Sequence, residues 1–121
     1  MTRVLVVDDD ADARAVARAI LEHAGIEAVD GAAALRAYRD VGADLVLCDL
    51  FMPDMDGLEL IRQLRRESPV VKIIAMSGGG FHGTVDMLDV ARHLGAAETL
   101  PKPFSLHELV QAVERVLGPT T

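Results

Sequence analysis

The sequence is poor in aromatic residues and cysteine, and it has no long uninterrupted apolar segment. Its 121 residues include no tryptophan, one tyrosine, three phenylalanines and a single cysteine, Cys48. One cysteine excludes an intrachain disulfide, and its apolar surroundings favour a buried structural thiol in a reducing compartment. No apolar run approaches the roughly 20 residues that span a bilayer, and a strand pattern starts too early for a signal peptide. We therefore expect a cytoplasmic protein that has no membrane partner.

Positive charge is also scarce. The chain has 12 basic and 19 acidic residues, which gives a formal net charge of −7. Proteins that bind a phosphate backbone need a basic stripe, so this composition argues against nucleic acid as a direct partner. Half of the residues are apolar. A chain of this length can bury them in one core, and we expect a single domain over residues 1–121.

Strand and helix patterns alternate along the chain. Short apolar strands are predicted at residues 3–7, 26–29, 44–48, 70–76 and 97–100, and helices at 11–24, 31–40, 57–66, 84–94 and 105–117. Gly25 marks the predicted end of the first helix, and Ser105 with Glu108 predicts a capping box at the start of the last. The alternation predicts an α/β fold of five βα units. Its doubly wound five-stranded parallel sheet has the order 2-1-3-4-5, in a flavodoxin-like three-layer sandwich.

Acidic residues follow two of the predicted strands. Asp8, Asp9 and Asp10 come after the first strand, and Asp49 comes after the third. These strands are neighbours in the predicted order, and ligands bind at the carboxyl ends of parallel strands. Two like charges 4 Å apart repel by about 4 kcal/mol at an effective dielectric near 20, so the cluster needs a cation, a lysine or a proton. This edge therefore predicts a divalent-metal site around a reactive aspartate, although the acidic run alone could simply favour the following helix N-terminus.

Two more polar side chains are predicted at the same edge, and together with the acids they carry a family resemblance. Ser77 follows the fourth strand, and Lys102 follows the fifth. The motifs VLVVDDD, DLVLCDLFMPDMDG, IIAMSG and LPKPF occur in order. With these motifs the chain resembles, over nearly its whole length, the receiver domain of two-component response regulators, and in particular the single-domain chemotaxis type.

The resemblance implies a phosphoryl-transfer role. Asp49 would be the phosphoacceptor, taking a phosphoryl group from the histidine of a histidine kinase or histidine phosphotransferase. Lys102 would pair with the phosphoryl oxygens, and Ser77 would donate a hydrogen bond to one of them. The protein would then signal by binding a downstream protein. It would not be an enzyme beyond weak self-phosphorylation and autodephosphorylation.

The resemblance also implies Mg²⁺ as the cofactor. Mg²⁺ prefers oxygen ligands in an octahedron and keeps several waters. Asp9 and Asp49 would bind it directly, Asp8 would bind it through a water, and the backbone carbonyl of Phe51 would complete the protein ligands.

Two other functions fit part of the pattern. One is a receiver-like interaction module that is never phosphorylated, against which the retained site residues argue. The other is a Mg²⁺-dependent phosphohydrolase of the haloacid dehalogenase type, which also uses a strand-end aspartate and a later lysine. That group needs a second acid two residues beyond the nucleophile, and Phe51 stands there.

The chain departs from the family pattern in how it would transmit a signal. The family usually has a tyrosine or phenylalanine three residues before the lysine, and this chain has Thr99. The segment from Ser77 to Thr84 has four glycines and is longer than usual, and glycine permits backbone angles that other residues resist. We expect activation to be read through residues 78–83 and the following helix, because Thr99 cannot act as an aromatic switch.

Overall fold

The protein is built around one five-stranded parallel sheet. A computed structural model describes residues 3–10, 15, 24–28, 30–50, 57–77, 84–102 and 104–118. The strands are β1 (Arg3–Val7), β2 (Ala24–Ala28), β3 (Leu45–Asp49), β4 (Lys72–Ser77) and β5 (Glu98–Pro101). They lie in the order β2-β1-β3-β4-β5, and every neighbouring pair is parallel. The predicted strand order and parallel pairing are confirmed.

Four helices are described beside the sheet: α1 (Gly31–Val41), α2 (Gly57–Glu67), α3 (Thr84–Leu94) and α4 (Leu106–Leu117). Their bounds lie within one residue of the prediction. The predicted capping box is present, because the Ser105 hydroxyl accepts from the Glu108 N–H and the Glu108 carboxylate accepts from the Ser105 N–H. Most of the helix predicted at residues 11–24 lies outside the described residues. Ala15, which is described, is helical.

The start of the second strand corrects the prediction. Ala24 and Gly25 belong to β2, where they pair in register with Arg3 and Val4. The predicted helix end at residue 24, with Gly25 as its stop, is therefore wrong. Glycine is common at helix ends, but here the parallel pairing of all five residues of β1 outweighs that local preference.

The carboxyl ends of β3 and β4 also differ slightly from the prediction. Each strand runs one residue further, so Asp49 and Ser77 are the last residues of their strands. Asp49 pairs in register with Met76, and Ser77 pairs with Pro101. Both polar residues are thus placed by the sheet itself. At its other end, β4 begins at Lys72, because Val70 lies in a turn and is 84% exposed.

Alternating strand residues build an apolar layer on each face of the sheet. On one face, Leu5 and Val7 of β1 belong to a buried cluster that also contains residues of α1, α2 and α3. On the other face, Val4 and Val6 pack in a cluster with Leu109 and its neighbours on α4. Helices therefore cover both faces, as in the predicted three-layer sandwich. Within the described part of the chain, no helix has the length and apolar character needed to cross a membrane.

Candidate functional site

Three aspartates meet at the carboxyl edge of the sheet. Asp8 follows β1 and is 2% exposed, Asp49 ends β3 and is 6% exposed, and Asp9 is exposed. One carboxylate oxygen from each lies within 4.8 Å of the others. The sheet order explains this, because β1 and β3 are hydrogen-bonded neighbours that end at the same level. The predicted convergence of these acids is confirmed.

Lys102 lies among the acids. Its Nζ atom is 2.8 Å from Oδ2 of Asp8 and 3.4 Å from Oδ2 of Asp49. The other oxygen of Asp8, Oδ1, accepts from the backbone N–H of Asp10 at 3.0 Å. One ammonium therefore bridges the two buried carboxylates, and a backbone N–H holds Asp8 in place.

The charge of Lys102 is maintained by its surroundings. Partial burial alone would lower the pKa of Lys102. The hydrogen bond to Asp8 and the negative charges of Asp49 and Asp8 outweigh that effect, so the pKa of Lys102 is raised from its usual value. Lys102 is therefore protonated at neutral pH. It still balances only one of the three carboxylate charges if all three are ionised.

Ser77 brings a hydroxyl to the same edge from the end of β4. Its side chain is fully buried, and its Oγ has no hydrogen-bond partner among the described residues. The Ser77 carbonyl accepts from the backbone N–H of Lys102 at 2.7 Å, which ties the ends of β4 and β5 together. A buried hydroxyl without a partner is costly, so its position favours a ligand that would accept its hydrogen bond.

The donor set fits a hard divalent cation. All three clustered side chains are carboxylates, and such cations prefer oxygen ligands. With all three carboxylates ionised, Lys102 balances one charge of the cluster, and a divalent cation would neutralise the other two. The fourth predicted protein ligand, the backbone carbonyl of Phe51, lies outside the described residues.

One contact near the site was not predicted from the sequence. An η nitrogen of Arg92 on α3 donates to Oγ1 of Thr99 at 2.8 Å, and the other η nitrogen contacts Asp89 at 3.1 Å. Thr99, which stands where the resemblance predicts an aromatic residue, is thus linked to α3 by a polar contact. Sequence could not reveal this contact, because it crosses from a helix to a strand and depends on how α3 packs beside β5.

The fold and the acidic edge define a class, and comparison with known proteins identifies it. Residues 4–114 match the family model described as the response regulator receiver domain. The chain belongs to this family, which serves two-component signalling. The predicted resemblance is confirmed.

Individual relatives differ in how much of their length this chain covers. It is 38% identical over 118 residues to the DNA-binding transcriptional regulator NtrC of Escherichia coli K12, covering 95% of this chain but 24% of that protein. It is 33% identical to the chemotaxis protein CheY of Listeria monocytogenes, covering 95% of this chain and 98% of that one. The chain thus spans about a quarter of the NtrC regulators and nearly all of CheY.

Solved structures agree with the fold. The receiver domain of NtrX from Brucella abortus matches with a TM-score of 0.88 and 31% identity, over 97% of this chain and 99% of that one. The chemotaxis protein CheY4 of Vibrio cholerae matches with a TM-score of 0.84 and 26% identity.

Proposed function

We propose that this receiver domain accepts a phosphoryl group on Asp49 in a Mg²⁺-dependent reaction and signals by binding protein partners. One observation supports this most directly. The buried Asp49 carboxylate lies beside Asp8, Asp9 and Lys102 at the sheet edge where the unpartnered Ser77 hydroxyl is also buried. A nucleophile, a cationic neutraliser and a free hydrogen-bond donor are the groups that phosphoryl transfer requires.

In the proposed reaction, one carboxylate oxygen of Asp49 attacks the phosphorus of the donor. A bond forms between that oxygen and phosphorus, giving an acyl phosphate. In a phosphohistidine donor the phosphorus–nitrogen bond breaks, and its electron pair stays on the imidazole nitrogen. The attacking species is the carboxylate anion, which carries no proton to remove, so the step needs no general base for the nucleophile.

Lys102 and Ser77 would stabilise the phosphoryl group once it reaches Asp49. The Nζ atom of Lys102, 3.4 Å from Oδ2 of Asp49, is close enough to reach an oxygen of a phosphoryl group on that carboxylate. The Ser77 hydroxyl would donate to another phosphoryl oxygen and so gain the partner that it lacks. Both contacts neutralise charge that grows on the phosphoryl oxygens during transfer.

Mg²⁺ would be held by Asp9 and Asp49 directly, by Asp8 through a water, and by the Phe51 carbonyl. When bound, it supplies positive charge to the phosphoryl oxygens. The site favours Mg²⁺ binding because its three carboxylates outnumber the single ammonium group of Lys102.

The partners follow from this role. We propose a histidine kinase or a histidine phosphotransferase as the phosphodonor and a downstream protein as the target. The name of NtrC describes DNA binding, but this chain covers 24% of that protein, and its net charge of −7 does not favour a DNA contact. We propose a signalling phosphoacceptor rather than an enzyme with a separate substrate. The family match does not favour a phosphohydrolase, and the retained site does not favour an unphosphorylated module.

The direct test is labelling by a small phosphodonor. We expect the protein, incubated with acetyl phosphate and Mg²⁺, to gain the mass of one phosphoryl group by intact-mass spectrometry. A parallel sample with a chelator in place of Mg²⁺ should remain unlabelled. An unchanged mass with Mg²⁺, or equal labelling with the chelator, would contradict the proposal.

The metal assignment is tested separately through Asp9. In Asp9→Asn we expect the rise in melting temperature on adding Mg²⁺ to be much smaller than in the wild type, because a direct ligand is lost and metal binding stabilises the folded state. The variant without Mg²⁺ should keep or slightly exceed wild-type stability, since a carboxylate is removed from a crowded cluster. Thermal melts with and without Mg²⁺ measure both effects. Equal shifts in the two proteins would refute Asp9 as a ligand.

A further inference from the structure

Gly57, the first residue of α2, packs directly on the backbone of the proposed phosphoacceptor. Gly57 is buried, and its N–H donates to the carbonyl of Leu50 at 3.2 Å. The thiol of Cys48 lies 3.5 Å from the carbonyl oxygen of Asp49 and 3.8 Å from that of Gly57. The start of α2 and the end of β3 are therefore joined backbone to backbone around Asp49.

This packing leaves no space for a side chain on Gly57. A Cβ atom there would lie 2.5 Å from the carbonyl oxygen of Asp49 and 2.6 Å from Cα of Leu50, distances that real Cβ atoms essentially never show. The backbone angles are not the reason for a glycine, because Gly57 is helical and does not have a positive φ. Alanine would be the better helix residue. A glycine that opposes local helix preference marks a position where close approach matters more.

A side chain on Gly57 would press directly on the backbone of Asp49 and Leu50. The helix is anchored by Leu60, Ile61 and Leu64, all fully buried in the apolar cluster. Asp49 is the last residue of β3, and Leu50 beyond it is held by two backbone hydrogen bonds: its N–H donates to the Met76 carbonyl at 2.9 Å, and its carbonyl accepts from the Gly57 N–H at 3.2 Å. Neither clashing atom can rotate away, because both belong to the backbone, so the strain acts on the chain segment that carries the nucleophile.

We propose that Gly57 is a positioning residue for phosphoryl transfer, which holds the backbone of Asp49 at the place where its carboxylate meets Lys102. The inference rests on the proposed function of Asp49. Gly57 acts on the position of Asp49 and does not itself contact the phosphoryl group.

The test compares Gly57→Ala with Leu64→Ala, a cavity-forming change in the same helix. Both variants should lower the melting temperature, since each disturbs a buried position. At saturating Mg²⁺ and acetyl phosphate, and well below either melting temperature, we expect Gly57→Ala to be labelled about tenfold or more slowly than the wild type, because small displacements of reacting groups cost large factors in rate. Leu64→Ala should be labelled at close to the wild-type rate. The slowing should appear in the labelling rate at saturating acetyl phosphate, and not only as a higher concentration of acetyl phosphate needed to reach half of that rate.

The outcomes separate this inference from the function on which it rests. Labelling of Gly57→Ala at the wild-type rate would overturn it, and so would equal slowing in Leu64→Ala, which would reveal general destabilisation. A wild-type protein that takes no label would overturn the proposed function and this inference together. If Gly57→Ala does not fold, Cys48→Ala removes the thiol between the two carbonyls and should slow labelling severalfold. An unchanged rate in that variant would then overturn the inference.

Discussion

Asp49→Asn should take no phosphoryl group under conditions that label the wild-type protein fully. Asparagine has nearly the same shape as aspartate, but its neutral amide is not a nucleophile for phosphorus. The substitution leaves the 2.8 Å contact between Lys102 and Asp8 in place, so the fold should be retained. Intact-mass spectrometry after incubation with Mg²⁺ and acetyl phosphate measures the result, and circular dichroism confirms that the variant is folded.

Asp10→Asn is the matched control for this loss. Asp10 lies next in sequence to Asp8 and Asp9, but its side chain is exposed and outside the three-carboxylate cluster. The control should be labelled as the wild type is. Full labelling of Asp49→Asn would show that another carboxylate is the acceptor and would overturn the assignment of Asp49. Loss of labelling in both variants would show that labelling depends on net charge alone.

The positions of the site residues could be predicted because they follow from the order of strands. Once β1 and β3 are neighbours in a parallel sheet, Asp8 and Asp49 must meet at its carboxyl edge. The same reasoning brought Ser77 and Lys102 there from β4 and β5. Sequence could not tell that Lys102 would lie closer to Asp8 than to Asp49, because that depends on side-chain geometry at the strand ends.

Element types were easier to predict than element ends. Hydrophobic periodicity separates strands from helices, but ends are decided by competition between local and long-range contacts. Gly25 illustrates this, since its local preference predicted a helix stop and its pairing with Val4 placed it in β2. Ser105 illustrates the opposite case, because its capping partner Glu108 lies three residues away and needs no tertiary information.

The route by which a signal leaves the site depends on contacts that sequence alone does not reveal. Thr99 is held by Arg92, so α3 is joined to β5 by a polar contact in place of the family's aromatic residue. Residues 78–83, which connect Ser77 to α3, lie outside the described residues, and their role in activation stays a prediction. Because Arg92 joins the two elements, we also expect α3 and β5 to change together on activation.

Lys102→Ala should have the next largest effect. Mg²⁺ should reverse much of its effect on stability but not its effect on the rate of phosphoryl transfer. Without Mg²⁺, removal of the ammonium leaves Asp8 and Asp49 buried without their shared cation. Because the Lys102 side chain is 26% exposed, we expect a loss of about 2 to 3 kcal/mol in the free energy of unfolding, below the 3 to 5 kcal/mol typical of a fully buried pair. Mg²⁺ should restore much of this loss, so the metal should raise the melting temperature more in the variant than in the wild type.

The pH dependence of that loss has a definite sign. The folded state raises the pKa of Lys102 above its usual value of 10.5, so its contribution is fully present below that value and is lost as the pH rises through the raised pKa. The difference in stability between the wild type and Lys102→Ala should therefore disappear in strong alkali. Denaturant unfolding of both proteins over a range of pH measures it.

Labelling should be slowed in Lys102→Ala even when Mg²⁺ has restored the fold. Loss of a preorganised charge at the phosphoryl oxygens typically costs about 10²- to 10³-fold in rate, and Mg²⁺ cannot replace a group fixed at that position. Lys72→Ala is the matched control, because Lys72 is the one other lysine in the chain and its Nζ donates to the Val116 carbonyl at 3.0 Å, away from the acids. The control should be labelled normally. If Lys102→Ala at high Mg²⁺ is labelled as fast as Lys72→Ala, then Lys102 only balances the buried aspartates and takes no part in the transfer.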